Sequence, residues 1–242
     1  MTILGVIPAR YASVRFPGKP LAPLAGKPMV VRVWEAACGA SRLDRTVVAT
    51  DDERIAAAVR QAGGEAILTS PEAASGTDRL AEAARALPAD AYVNIQGDEP
   101  LMSPANIDRA VETLTADPTR EIATIALPMP AAEAVDPNVV KVVVARDGRA
   151  LYFSRAPIPY ARNGHSAFHK HLGIYAYRSE TLQRLAALPP SPLERMESLE
   201  QLRWLEAGYA IWVGEAADDS IGVDTPDDLA RAERYWKREV VS

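Results

Sequence analysis

The sequence predicts an α/β fold: a Rossmann-like, mostly parallel sheet with helices on both faces, carrying an inserted antiparallel lobe. Three features support this expectation. Short apolar runs alternate with helical spacing through the first half of the chain, the βαβα pattern of a parallel sheet. The alternation breaks after about Ile122. Beyond the break, Asp147-Gly148 separates two apolar runs, a hairpin signal that belongs to antiparallel pairing. Residues 1–242 are expected to form one domain, with the antiparallel lobe inside about residues 125–215.

Ile3–Ile7 reads as a first buried strand and Met29–Cys38 as a helix. Thr46–Thr50 is a second strand, followed by a helix over Glu53–Ala62 that Asp51 or Asp52 can cap. Glu65–Leu68 is a third strand and Arg79–Leu87 a helix. Ala91–Gln96 is a fourth strand, and Ser103-Pro104 leads into a helix over Ile107–Leu114. In the lobe, Val139–Ala145 and Ala150–Ser154 form the hairpin. Pro157, Pro159 and Gly164 mark a long loop, and His171–Arg178 resumes a strand. Ser191-Pro192-Leu193-Glu194 is a capping box with proline at the first helical position. The helix it opens carries Leu193, Met196, Leu199 and Leu202 on one stripe. Ile211–Val213 is a late strand, and Thr225-Pro226 opens a final helix.

The composition narrows the classes of function. A chain of 242 residues with 48% hydrophobic and 24% charged residues has ample apolar surface for a core, which argues against disorder. A net charge of −5 offers no general attraction to nucleic acid or an anionic membrane, so neither is an expected partner. Phosphate binding has to come from local basic clusters. Cys38 is the single cysteine, which rules out an intrachain disulfide and cysteine-rich zinc cages and fits a reducing compartment. Its expected place inside a buried helix makes it a poor nucleophile. No run approaches the roughly 18 consecutive apolar residues of a membrane span, and Ile3–Ile7 is too short for a signal-peptide core. A soluble cytoplasmic protein is expected.

The first strand ends in a cationic loop from Pro8 to Pro20 that holds Arg10, Arg15 and Lys19. In a doubly wound sheet this strand-to-helix loop lies at the carboxyl end of the strands, where ligands bind. Guanidinium groups grip phosphate oxygens in pairs and a lysine adds a mobile point charge, so the three suit a nucleoside triphosphate. A random Arg/Lys cluster is more often a solvated surface loop. The position after the first strand, and the stiffening by Pro17 and Pro20, favour binding here. Neither Gly18-Lys19 nor Gly26-Lys27 completes a P-loop, because the upstream glycine is missing and proline follows each lysine. No G-x-G-x-x-G is present, so a dinucleotide enzyme is not expected either.

Gln96-Gly97-Asp98-Glu99-Pro100 ends the fourth strand. A carboxylate there is placed to hold Mg²⁺ against phosphates, and it reads equally well as a turn acid. In Gly222-Val223-Asp224-Thr225-Pro226, Thr225 can cap the helix and free Asp224 for a ligand; compensation of the helix dipole is the competing reading. Two such aspartates suit a metal site for phosphoryl transfer. Ser75 can serve a base or ribose, or cap the helix that follows it. Arg155 and His171 are candidates for an anionic acceptor, although a lone histidine beside apolar residues is more often structural. Glu197, Glu200 and Gln201 lie off the leucine stripe, where a solvated polar face is the default.

Ile7–Leu21 (IPARYASVRFPGKPL), Val48–Asp52 (VATDD), Ser75–Ala81 (SGTDRLA), Asn94–Pro100 (NIQGDEP), Ala150–Ile158 (ALYFSRAPI), His171–Tyr177 (HLGIYAY), Ser191–Glu194 (SPLE), Leu199–Arg203 (LEQLR) and Gly222–Leu229 (GVDTPDDL) recur in this order. Together they resemble the 3-deoxy-D-manno-octulosonate (Kdo) cytidylyltransferases, or CMP-Kdo synthetases, over nearly the whole chain. The resemblance implies a nucleotide-diphospho-sugar transferase-like fold. It also implies Mg²⁺-dependent transfer of CMP from CTP to the anomeric hydroxyl of Kdo, with release of pyrophosphate, for lipopolysaccharide or capsule synthesis. By the family's pattern, Ala9, Arg10, Arg15, Lys19, Ser75, Gln96 and Gly97 would bind the nucleotide, with Ser75 and Gln96 selecting cytosine. Asp98 and Asp224 would hold the metal. With Arg15 and Lys19, nearest the leaving pyrophosphate, they would form the catalytic set. Arg155, His171, Tyr175, Glu200 and Gln201 would line the sugar-acid pocket in the lobe through which the family forms homodimers.

Two departures stand out: Phe16 replaces a common leucine, and Ala161–Lys170 is shorter than in some relatives. Sialic-acid activators share CTP and an acidic acceptor, but their first loop reads Ala-Arg-Gly-Gly-Ser-Lys, which this chain lacks. An amino-substituted Kdo is the nearer competing acceptor. A regulatory module that binds nucleotide without turnover has no chemical need for Asp98, Asp224, Arg10, Arg15 and Lys19 together.

Overall fold

The computed structural model describes residues 1–12, 16–73, 75–162 and 167–239. The chain forms two compact units, Met1–Asp108 with Ser220–Ser242, and Arg109–Asp219. In chain order the elements begin with β1 (Ile3–Ala9), a 3-10 turn at Lys19–Leu21, and the short strands β2 (Pro23–Leu24) and β3 (Lys27–Pro28). Next come α1 (Met29–Cys38), β4 (Arg45–Thr50), α2 (Glu53–Gln61), β5 (Glu65–Leu68), α3 (Gly76–Ala86), β6 (Ala91–Asn94) and α4 (Pro104–Thr115). The second unit holds β7 (Ile122–Met129), α5 (Ala131–Ala134), β8 (Lys141–Val144), β9 (Ala150–Ser154) and β10 (Phe168–Arg178). It continues with α6 (Ser179–Ala186), α7 (Pro192–Glu197), α8 (Gln201–Glu206) and β11 (Ile211–Glu215), and α9 (Pro226–Glu239) then returns to the first unit. The protein is thus a mixed α/β structure with parallel strand pairs at its centre. No helix among the described residues is long and apolar enough to cross a membrane.

In the first unit the strands run in the order β6-β1-β4-β5, all parallel. β1 sits between two neighbours and is covered on both faces, which is why Ile3–Ala9 reads as a continuous apolar run without alternation. Val6 and Ile7 are 0% exposed, each worth about 2 kcal/mol of apolar burial. From β1 the chain winds outward to β4 and β5, then returns to the other side of β1 for β6. Two adjacent parallel strands therefore send their following loops in opposite directions, which opens a crevice at their carboxyl ends.

Local signals set the helix starts. Asp52 caps α2, its carboxylate accepting from the Arg54 N–H at 2.9 Å. α3 begins at Gly76, three residues before the sequence expectation, because Ser75 and Asp78 form a capping box. One expectation is corrected: Cys38 is exposed. The buried face of α1 is Met29, Val30, Val31, Val33 and Ala37, and the last residue of the helix falls outside that stripe.

The second unit is ordered β11-β7-β10-β8-β9, with β7–β11 parallel and the other pairs antiparallel. The Asp147-Gly148 hairpin closes as expected, with Gly148 at φ 92°, a backbone state open to glycine at little cost. Ile122–Met129, where the sequence rhythm broke, is a strand with its first five residues buried. The late helix is also corrected. It ends at Glu197, Ser198 turns left-handed at φ 53°, and a separate helix starts at Gln201. The stripe spacing does not carry across that break: Leu199 and Leu202 are buried, while Met196 is 80% exposed.

Candidate active site

The crevice between the ends of β1 and β6 is a cleft of about 220 Å³, lined among others by Ala9, Arg10, Lys19, Ser75, Arg79, Gln96, Gly97, Asp98 and Asp224. Its floor requires a glycine. A Cβ on Gly97 would lie 2.6 Å from the Pro8 carbonyl oxygen, so the two strand-end loops approach this closely only without a side chain there. The cationic loop folds back on itself, with the Gly18 N–H donating to the Tyr11 carbonyl at 3.1 Å. Gly18 takes φ 72° and delivers Lys19 into the 3-10 turn. Arg10 is exposed at the cleft. Arg15 lies outside the described residues.

Asp224 reaches Asp98 through the backbone. The Val223 N–H donates to the Asp98 carbonyl at 2.8 Å, and the buried Val223 side chain packs with Leu24, Met29 and Ala232. Thr225 carries the capping duty that would otherwise fall to Asp224. Its Oγ1 accepts from the Asp228 N–H at 3.2 Å, while the Asp228 carboxylate accepts from the Thr225 N–H at 3.0 Å. The Asp224 carboxylate, not engaged as the cap, accepts from the Lys19 ammonium.

Between the two carboxylates stands the Lys19 ammonium, donating to Asp98 Oδ2 at 2.9 Å and to Asp224 Oδ1 at 3.2 Å. The Lys19 side chain is 11% exposed, but Asp98 and Asp224 are 38% and 47% exposed, so these ion pairs are screened and exchangeable. Two carboxylates already arranged around one cation fit Mg²⁺, which keeps several waters and takes its remaining ligands from substrate phosphates. Among the described residues no cluster of three or more His, Cys, Asp or Glu side chains gathers as a self-sufficient metal cage.

Ser75 is the N-cap of α3, its hydroxyl oxygen accepting from the Asp78 N–H at 3.1 Å, so the capping reading holds while the residue also lines the cleft. Arg79 was not singled out from sequence. It is 2% exposed, pairs with Asp51 Oδ2 at 3.0 Å and donates to the Thr69 hydroxyl, tying the end of β4 to the cleft wall. The available signal was a charge among the buried positions of an amphipathic helix, between Thr77 and Leu80.

The acceptor candidates lie in the second unit. His171 is buried, with its ring 5.0 Å from Phe153 and 5.3 Å from Tyr175. Thr124 Oγ1 lies 2.7 Å from the Ile174 carbonyl, to which it gives its one proton, and 2.9 Å from His171 Nε2. Nε2 therefore carries the ring proton, and Nδ1 is left as an acceptor. Thr124 sits opposite the bulge of β10 between Leu172 and Tyr175, where its hydroxyl donates to the Ile174 carbonyl.

Burial holds the His171 pKa down at about 3, so the ring is neutral at working pH. In the unfolded chain an imidazole titrates near 6.5, so between these values only the unfolded state binds the extra proton. Stability should fall as pH drops through that window, by about 1.4 kcal/mol per pH unit for this one group. Denaturant titrations from pH 6.5 to 4 should show a shallower loss in His171→Gln than in the wild type. Equal slopes would contradict a buried neutral imidazole.

Tyr175 stacks on Tyr177 at 6.0 Å, and both rings meet Trp204 edge-on. Desolvation first, then the nearby Tyr177 and Glu200, push the Tyr175 phenol well above its ordinary pKa. Its hydroxyl and Trp204 Nε1 are buried and find no hydrogen-bond partner among the described residues. Glu200 immediately precedes α8, and Gln201 is 6% exposed. Gln201 and the half-buried Glu197 therefore correct the expectation of a solvated polar face: the turn at Ser198 starts a new helix that buries Gln201, and Glu197 turns to Ser154 and Arg155. Glu197 accepts from the Ser154 hydroxyl at 2.5 Å and from the Arg155 N–H at 2.9 Å. The Arg155 guanidinium donates to the carbonyls of Glu197 at 2.8 Å, Pro137 at 3.0 Å and Ser198 at 3.3 Å. Among the described residues this leaves one N–H on each terminal nitrogen.

Comparison with known proteins places this architecture. Residues 4–212 match the family described as Cytidylyltransferase. A 3-deoxy-manno-octulosonate cytidylyltransferase of Syntrophobacter fumaroxidans is 56% identical over 236 residues, covering 95% of this chain and 94% of the relative. The solved structure of a CMP:2-keto-3-deoxy-manno-octonic acid synthetase complexed with CTP is 45% identical, with a TM-score of 0.95 over 99% of this chain and 100% of that one. A nucleotidyl transferase from Methanothermobacter thermautotrophicus shares the fold at 17% identity, with a TM-score of 0.63 over 98% of each chain. The chain belongs to the cytidylyltransferases, a family of nucleotidyltransferases, and within them to the 3-deoxy-manno-octulosonate cytidylyltransferases.

Proposed function

We infer that this protein transfers CMP from CTP to the anomeric hydroxyl of 3-deoxy-D-manno-octulosonate, giving CMP-Kdo and pyrophosphate. The observation that carries the reading is the meeting of Asp98, Asp224 and Lys19 at the end of the cationic first loop. The acceptor's identity follows from family membership. Ala9, Arg10, Lys19 and Gly97 cradle the triphosphate, joined by Arg15 of the same loop, while Ser75 and Gln96 select the base. Arg155, with two N–H groups to spare, holds the sugar carboxylate, and neutral His171, Tyr175, Glu200 and Gln201 meet its hydroxyls.

The acceptor oxygen forms a bond to the α-phosphorus as the bond from that phosphorus to the bridging oxygen of the β-phosphate breaks. The electron pair leaves with pyrophosphate, and the hydroxyl proton passes to solvent. Arg10, Arg15 and Lys19 orient the chain of phosphates and take up the charge that develops on the leaving group. Asp98 and Asp224 would hold Mg²⁺, and the chemistry such an ion supplies when bound is charge neutralisation at the α-phosphate and pyrophosphate. No enzyme nucleophile is required. Desolvation raises the Cys38 thiol pKa even though the residue is exposed, which leaves it protonated and unsuited to such a role. Action in the cytoplasm as a homodimer, upstream of lipopolysaccharide or capsule assembly, is part of the same proposal.

Pyrophosphate release should be measured with each of the four ribonucleoside triphosphates against Kdo, 8-amino-Kdo and N-acetylneuraminate. Release is expected with CTP and Kdo. Absence of release with CTP and either Kdo compound would overturn the reading.

A further inference from the structure

We propose that Lys141 is a positioning residue for the sugar-acid acceptor, its buried ammonium fixing the backbone from which Arg155 and His171 project. The inference rests on the acceptor role given to those two residues above. Lys141 opens β8 and is 0% exposed. Its Nζ donates to the carbonyls of Val139 at 2.7 Å and Asp136 at 3.0 Å, and to the carbonyl of Arg155. Those three bonds use all three ammonium protons, and none goes to a carboxylate. Burial pushes the lysine pKa down, with Arg155 adding to the effect and Asp136 and Glu197 opposing it. A cation held this way is costly to keep dry, and a well-packed apolar side chain in its place is often neutral or stabilising. A strand that only needed to close would not call for it.

What the ammonium gains is control of Arg155. That residue is held at both ends: its N–H by Glu197, its carbonyl by Lys141, and three of its guanidinium N–H groups by the carbonyls of Pro137, Glu197 and Ser198. Pro137 lies within the turn from Asp136 to Val139 that Lys141 clamps, so one ammonium fixes both the backbone of Arg155 and one acceptor of its side chain. The adjacent Val140 carbonyl accepts from the His171 N–H at 2.9 Å, which ties the second acceptor residue to the same segment. Loss of Lys141 frees these groups together and loosens the two remaining Arg155 N–H groups.

The test is Lys141→Met in the full-length enzyme, assayed with CTP and Kdo. KM for Kdo should rise tenfold or more, with KM for CTP within twofold of the wild type. A CTP-induced rise in melting temperature reports that the variant is folded. A folded variant whose Kdo KM stays within twofold, or whose two KM values rise together, would overturn the proposal. If Lys141→Met does not fold, Glu197→Gln decides, because it weakens the hold on the Arg155 N–H while leaving Lys141 in place. A threefold or greater rise in Kdo KM at constant CTP KM supports the proposal, and an unchanged Kdo KM overturns it. Wild-type enzyme inactive on Kdo would instead reject the functional reading on which the proposal stands.

Discussion

Asp98→Asn should lower kcat for CMP transfer by about a thousandfold or more while leaving the melting temperature nearly unchanged. The fold tolerates the change because the turn that carries Asp98 is built from backbone bonds. The Glu99 N–H donates to the Gln96 carbonyl at 3.1 Å and the Val223 N–H to the Asp98 carbonyl at 2.8 Å, and neither needs the carboxylate. Asparagine keeps the size and one oxygen, but loses the charge that makes the site attractive to a divalent cation. Steady-state kinetics at saturating CTP and Kdo, with circular dichroism melts alongside, separate the two effects. Turnover near the wild-type value would remove Asp98 from the metal role.

The second large effect belongs to Lys19→Met, which should change catalysis and metal binding in opposite directions. Turnover should fall about a hundredfold, because one of the cations facing the triphosphate is lost. Affinity for Mn²⁺ without nucleotide should rise about tenfold, since the ammonium that stands between Asp98 and Asp224 no longer competes for their oxygens. In the wild type the lysine neutralises two aspartates that would otherwise repel each other across the cleft. Substrate and metal arriving together would draw Lys19 toward phosphate as the aspartates turn to the ion. Calorimetric or EPR titration with Mn²⁺ checks the second half, and unchanged or weaker Mn²⁺ binding would show that Lys19 does not hold the metal's place.

The first unit was legible in the sequence because its strands are short apolar runs and helices such as α2 and α3 carry side-chain caps. The cap of the last helix was readable for the same reason: Thr225 serves it, and the Asp224 carboxylate pairs with Lys19 instead. The meeting of Lys19 with Asp224 was not encoded in any spacing. It joins residues 205 positions apart, and only the return of the chain to the first unit just before α9 brings them together. Legibility failed where a local rule was interrupted. The stripe Leu193, Met196, Leu199 and Leu202 spans a left-handed residue at Ser198, and a helical repeat read across such a turn assigns Gln201 to the wrong side. Ile122–Met129 lacks polar alternation and contains Pro128, so its pairing on both edges was invisible. Arg79 offered only its place between Thr77 and Leu80 on the buried face of α3, and Thr124 carries no signal by residue type, because a buried threonine looks like a surface residue until its partner is seen.

The central claim is that the cleft cuts CTP between its α- and β-phosphates and passes the α-phosphate to a Kdo-type acid. CTP labelled at the α-phosphorus, incubated with the protein, Mg²⁺ and Kdo, tests it most directly. The label should appear in a sugar nucleotide containing both CMP and Kdo, with one pyrophosphate released for each and no transfer when Kdo is omitted. Label recovered in CDP with release of orthophosphate, or consumption of CTP that does not depend on Kdo, would contradict it.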